Sequence, residues 1–174
     1  MKIGIISDTH DQLESLEKAV KIFQKEKVNL IIHCGDWVSP FVPQFIYTLK
    51  PKLTIPIKSV FGNNEGDYFR FFQRKEKENW KIEFYKETFE LEVDKRKIVV
   101  YHGSNNILTN ALIKSQIYDA VFTGHTHQAI IETFGKTLHI NPGSTAGYAF
   151  GKITQSKTLA LYETKTNQGK IIKL

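Results

Sequence analysis

The chain has one cysteine, Cys34, one methionine and five prolines in 174 residues, and no run of roughly 18 apolar residues that could span a bilayer. A single thiol closes no internal disulfide and builds no thiolate metal site. Any metal would therefore rest on nitrogen and oxygen ligands, and a reducing, cytoplasmic setting is expected. Asp8 interrupts the first apolar stretch before a signal-type segment can develop, so a soluble chain with no membrane partner is predicted. What is present is ordinary for a globular protein: 41% hydrophobic and 24% charged residues, which excludes a disordered or collagen-like chain. The net charge of +6 favours a phosphate-bearing partner. However, the basic residues mostly alternate with acids, as around Lys75, Lys77 and Lys81, which describes a solvated face and specifies no nucleic acid. The length fits one domain over residues 1–174. Surface scaling gives roughly 8,700 Å² exposed when folded against roughly 29,000 Å² unfolded, enough burial for a core without staples.

Residues 2–7 read as a buried strand, followed by a helix to about Lys25 with Leu13, Leu16, Val20 and Phe23 on one face. Asp11, with Glu14 three residues on, is the predicted cap of that helix. Residues 28–33 form a second strand that stops at Gly35, 41–49 a short helix ended by Pro51, 53–61 a third strand closed by Gly62, and 68–80 a helix. This alternation predicts right-handed crossovers feeding a parallel sheet, hence an α/β fold. Further strands are expected at 81–85, 89–93, 98–101, 120–123, 129–134 and 138–140, with a helix at 106–116 and a closing hairpin from 158–163 and 170–174.

Five strand ends carry metal-capable residues beside glycine or before a helix: Asp8-Thr9-His10, Gly35-Asp36, Gly62-Asn63-Asn64-Glu65, His102-Gly103 and Gly124-His125-Thr126-His127. Ligands of open α/β sheets bind outside the carboxyl ends of the strands, so these segments should meet on one rim. The Asp8/His10 and His125/His127 spacings would point both members of each pair the same way from extended backbone. Two carboxylates, four imidazoles and one amide are too many for one tetrahedral ion and suit two divalent cations clamping an in-line displacement. The mixed set favours Mn, Fe, Zn or Ni over Ca or Mg; ligand type makes no finer choice, and Mn is the first expectation.

This ordered pattern, spread from residue 3 to about 147, resembles the calcineurin-like metallophosphoesterase superfamily and, within it, the small YfcE/MJ0936-like phosphodiesterases. The resemblance implies a four-layer α-β-β-α sandwich of two mixed sheets with a dinuclear centre on its rim. It assigns Asp8, His10, Asp36 and His127 to the first metal. Asp36, Asn63, His102 and His125 fall to the second, with Asp36 bridging. Asp36, Asn63 and His102, with a metal-bridging hydroxide, would carry attack on a small phosphodiester. Many members of the family place a histidine after the Gly-Asn pair to protonate the leaving group, where this chain has Asn64. A preference for esters with good leaving groups is therefore expected. A retromer subunit built on the same fold acts mainly as a binding platform, so a protein-interaction scaffold with weak or no catalysis is the alternative. A homo-oligomer is also possible.

Other residues read as support. His33 precedes the Gly-Asp motif and is expected to hydrogen-bond beside the ligands, His139 to be a strand side chain, and Cys34 to be inert packing. The Asn141-Pro142-Gly143-Ser144 turn is either an ordinary turn or a brace for the rim. Tyr68, Phe69, Phe71 and Phe72 should mostly pack, with one ring free to wall a cleft.

Overall fold

The computed structural model describes residues 1–149, 152–153 and 156–174. The elements β1 (Lys2–Ile6), α1 (Leu13–Lys25), β2 (Leu30–His33), α2 (Phe41–Ile46), β3 (Ile57–Val60), α3 (Tyr68–Glu78) and β4 (Ile82–Tyr85) alternate as predicted. The four strands lie side by side and parallel. The chain then enters a second sheet through β5 (Thr88–Val93), β6 (Arg96–Tyr101), α4 (Asn106–Lys114), β7 (Ala120–Phe122), β8 (Ala129–Phe134) and β9 (Thr137–Pro142). This sheet has the order β5-β6-β7-β9-β8, with β6, β7 and β9 parallel and both edge strands antiparallel. After the short ribbon of β10 (Tyr148–Ala149) and β11 (Lys152–Ile153), the hairpin β12 (Thr158–Glu163) and β13 (Gln168–Lys173) returns to the first sheet. It pairs antiparallel to β1, giving the order β13-β12-β1-β2-β3-β4.

Three apolar clusters define four layers. Ile6, Ile31, Ile57 and Ile82 of the first sheet pack under Leu16, Val20, Phe23, Val42 and Phe71 of the helices. Ile3, Ile5 and Ile32 point the other way and meet Ile98, Val100, Phe122 and Ile140 of the second sheet. Ile113 of α4 covers Val99 and Val121 on the outer face of that sheet. The central strands are covered on both faces, which is why they read as runs of Ile and Val instead of alternating with polar residues. The expected α-β-β-α sandwich of two mixed sheets is what forms. Among the described residues no helix is long and apolar enough to cross a membrane.

Two local expectations fail. Asp11 does not cap α1; the capping position is Gln12, which makes no side-chain cap hydrogen bond, and Asp11 itself has φ 58°. The β1–α1 connection is wound into the rim, and that overrides the local capping signal. The third strand is shorter than 53–61 because Pro56 cannot donate to a ladder, so regular pairing starts at Ile57.

Candidate metal centre

The carboxyl ends of β1, β2 and β3 deliver Asp8, His10, Asp36 and Asn63 to one edge of the sandwich, and those of β6 and β7 deliver His102, His125 and His127. The two sheets are stitched together there. His102 Nδ1 donates to the Cys34 carbonyl at 2.7 Å, and the His125 N–H donates to Asp8 Oδ2 at 3.1 Å. Neither spaced pair lies on extended backbone, contrary to expectation: φ is 53° at Asp8, 38° at His10, 66° at His125 and 59° at His127, with Asp36 at 63°. Tight left-handed turns aim these side chains instead. Five of the seven candidate ligands thus occupy a conformation that costs L-residues energy, as is common where side-chain placement outranks backbone comfort.

Asp8 and Asp36 are buried, and two groups of potential ligand atoms form around them: Asp8, His10 and His127, and Asp8, Asp36 and His102. His127 Nε2 lies 3.2 Å from Asp8 Oδ1. His10 Nε2 lies 3.4 Å from Asp36 Oδ2 and 3.9 Å from Asp8 Oδ1, and His102 Nε2 lies 3.5 Å from Asp36 Oδ1. The amide oxygen of Asn63 sits 3.0 Å from the same His102 nitrogen. His125 belongs to neither group; its ring stands edge-on to His102, with centroids 5.2 Å apart.

The donor set fits a cation. His102 spends its Nδ1 proton on Cys34 O, and His127 Nδ1 donates to the Tyr148 carbonyl, so in the neutral rings both Nε2 atoms present lone pairs toward oxygen lone pairs. Asp8 Oδ1 and His10 Nε2 are buried and lack any hydrogen-bond partner among the described residues. Without a cation, the charge balance falls to a proton. The Asp36 and Asp8 carboxylates pull the His10 pKa up from its ordinary 6.5 to about 9, against the opposing effect of burial. Burial pushes the Asp36 pKa upward, but His10, His102 and the Asn64 hydrogen bonds outweigh it and bring the value down to about 2. Asp8 is likewise held well below the usual carboxylate range by His10 and His127 despite its burial.

A family model described as the calcineurin-like phosphoesterase superfamily domain matches residues 1–167. The chain belongs to that superfamily. Phosphodiesterase MJ0936 of Methanocaldococcus jannaschii is 35% identical over 173 residues, spanning 97% of this chain and 96% of the relative. A solved archaeal phosphodiesterase superposes with a TM-score of 0.87 at 35% identity, with 100% of each chain covered. Zinc-bound Vps29 of Entamoeba histolytica superposes at 0.69 over 100% of this chain and 98% of that one, but at 16% identity it shares the fold alone.

Several neighbours of this phosphoesterase rim stand within the sequence motifs, but their contacts were not readable in sequence. Asn64 is tied to Asp36: its N–H donates to Oδ1 and its side-chain amide to Oδ2, both at 2.8 Å. Glu65 accepts from the backbone N–H groups of Gly62, Trp37 and Val38 at 3.1, 3.0 and 2.8 Å, so it clamps the β3 loop to the loop carrying Asp36. Gly62 and Gly124 are set by contact. A Cβ on Gly62 would collide with Asp36 Oδ1, and one on Gly124 with Ser7 Oγ. The Asn141–Ser144 turn braces the rim: Asn141 Nδ2 donates to the Gly124 carbonyl at 2.7 Å and Ser144 Oγ to the Asp8 carbonyl at 3.1 Å.

His33 stacks on Trp37 with centroids 3.6 Å apart, takes the Gly35 N–H on Nδ1 and faces Thr9 Oγ1, which donates to the Asp36 carbonyl. Burial drives its pKa down to about 3, so it stays neutral. His139 hydrogen-bonds Thr123 Oγ1 at 2.9 Å. Cys34 lies in the core between the sheets with its thiol pKa raised by burial, and it contributes only its carbonyl to the rim. A cleft of about 720 Å³ opens beside Asn63 and His102.

Proposed function

We propose that this chain is a metal-dependent phosphodiesterase whose rim holds two divalent ions. Asp8, His10, Asp36 and His127 form one site, Asp36, Asn63, His102 and His125 the other, and Asp36 bridges them. The observation that carries this reading is the division of labour at Asp36: one carboxylate oxygen faces His10 and the other faces His102, as a bridging ligand requires. The 35% identical relative named as a phosphodiesterase supports the reaction class. When bound, divalent ions lower the pKa of water and neutralise charge on phosphoryl oxygens, and manganese is the first choice among Mn, Ni, Fe and Zn.

The side chains do the rest. Cys34 O and Tyr148 O fix the tautomers of His102 and His127, so that Nε2 of each faces inward. Asn64 has its amide committed to Asp36, and an amide releases no proton near neutral pH, so position 64 offers the leaving group no acid. Esters whose departing alkoxide or phenoxide is a weak base are the preferred substrates. The chain acts as one domain over 1–174, and its lone buried thiol supports a cytoplasmic location. A second copy is a possible partner, and the scaffold reading rests on the fold likeness to Vps29 alone.

The test is metal analysis together with hydrolysis of bis(p-nitrophenyl) phosphate, using Asp8→Asn and His127→Ala as controls. Bound transition metal and turnover that both controls lack support the reading; equal turnover by the controls sinks it. A series of phosphodiesters graded by leaving-group pKa should show rates falling steeply as that pKa rises. A flat series with chemistry rate-limiting removes the leaving-group argument.

A further inference from the structure

The 720 Å³ cleft begins at the rim, with Asn63 and His102 as its inner wall. Its volume lies within the range of roughly 300–1,000 Å³ typical of pockets for organic ligands and far exceeds what a phosphate needs. Four of the ten other lining residues are rings: Phe61 just past β3, Tyr68 and Phe72 on α3, and Tyr101 at the end of β6; Leu108 of α4 adds apolar surface. Phe61 anchors this wall, stacked on Phe84 and met edge-on by Tyr68 and Phe72. Tyr68 and Phe72 nevertheless keep 47% and 43% of their surface open, which is costly for large apolar groups and leaves ring surface available to a guest.

Part of the cleft's polar lining is already engaged. The Tyr101 hydroxyl accepts the Asn105 N–H at 2.8 Å and pairs with Ser104 Oγ, while Asn105 Oδ1 caps α4 by accepting from Ile107 and Leu108. Lys86 and Glu87 bring one charge of each sign to the lining, so net charge does not select the guest. What the cleft offers is aromatic surface in the same cavity as two candidate metal ligands, Asn63 and His102.

We infer that this cleft seats a planar aromatic substituent of the phosphodiester, making Tyr68 and Phe72 specificity-determining residues for aryl or nucleoside esters over small alkyl ones. The inference rests on the phosphodiesterase reading, and its test separates the two. Titration calorimetry of the manganese-loaded protein compares phenyl phosphate with methyl phosphate, which carry the same charged head and differ in the ring. Stacking and ring burial predict binding of phenyl phosphate tighter by roughly tenfold or more. Tyr68→Ala and Phe72→Ala should each erase most of that ratio and leave methyl phosphate unchanged. Phe69→Ala, on the same helix but 75% exposed and outside the lining, should preserve it. Equal affinities in the wild type, failure of phenyl phosphate to bind, or a ratio that survives in the Tyr68/Phe72 double variant would each overturn the inference. Failure to hydrolyse bis(p-nitrophenyl) phosphate with the ring preference intact would instead remove the activity and leave the aromatic seat.

Discussion

The two sheets make unlike contributions to the rim. The six-stranded sheet supplies both carboxylates, the amide of Asn63 and a single imidazole, while the five-stranded sheet supplies three imidazoles and no charge of its own. The carboxylates are buried and laced by N–H donors: Asp36 by Asn64, and Asp8 by the backbone of His125. Of the imidazoles, His102 is equally buried while His10, His125 and His127 are partly open, and His102 and His127 are steered by one carbonyl each. Negative charge is therefore fixed from one side and the neutral ligands are aimed from the other. A buried anion stripped of its counter-charge is far costlier than a missing neutral ligand, so damage to the two sides should differ in size.

The largest effect is expected on the carboxylate side. Asp8→Asn should cut phosphodiester turnover by about 10³-fold or more, because it removes charge from both ligand groups, whereas His127→Ala touches one group and should cost roughly 10²-fold. Equal losses in parallel assays would erase the distinction between the sheets. Next comes Asn64→Ala, which frees Asp36 to turn and should weaken metal affinity by about 10- to 100-fold, the range typical of hydrogen-bond partners of ligands. Unchanged affinity by competition against a chelator would show that Asp36 needs no such support.

A pH dependence follows from the raised pKa of His10 beside the two carboxylates. His10 is raised from 6.5 to about 9, so between those values the metal-free folded chain binds more protons than the unfolded chain. Its contribution to stability is therefore complete below pH 6.5 and is lost as the pH climbs toward 9. A metal needs the neutral ring, so its affinity should rise across the same window, approaching about tenfold per pH unit. Affinity independent of pH there would mean that His10 is no ligand. The smallest effect is Glu65→Gln, which replaces an acceptor oxygen by a donor facing backbone N–H groups. It should lower stability by about 1–3 kcal/mol in thermal melts; an unshifted transition would show that the clamp is idle.

The layering of the molecule was readable from residue types alone, because strands buried on both faces must be apolar throughout, as in Ile3–Ile6 and Ile31–Ile32, and helices must not be. The rim was readable for a related reason: Asp, His and Asn next to glycine at a strand end have few purely structural uses in such number. What the order of residues concealed was partnership across loops. Asn64 looked like a missing acid until its contact with Asp36 was visible, 28 positions earlier. Glu65 stood among the metal-capable residues, and nothing nearby in sequence announces that its oxygens serve the N–H groups of Trp37 and Val38. Asp11 failed as a helix cap for the opposite reason: a good local signal was overruled by a loop shaped for its neighbours.

The pairing of β1 with β12 has a consequence for biosynthesis. β1, whose end presents Asp8, is joined on one edge by a strand from far along the chain, with Ile5 opposite Ala160 and Lys2 opposite Glu163. During synthesis that edge of β1 stays open until β12 emerges, so the first sheet is completed only when the closing hairpin has been made.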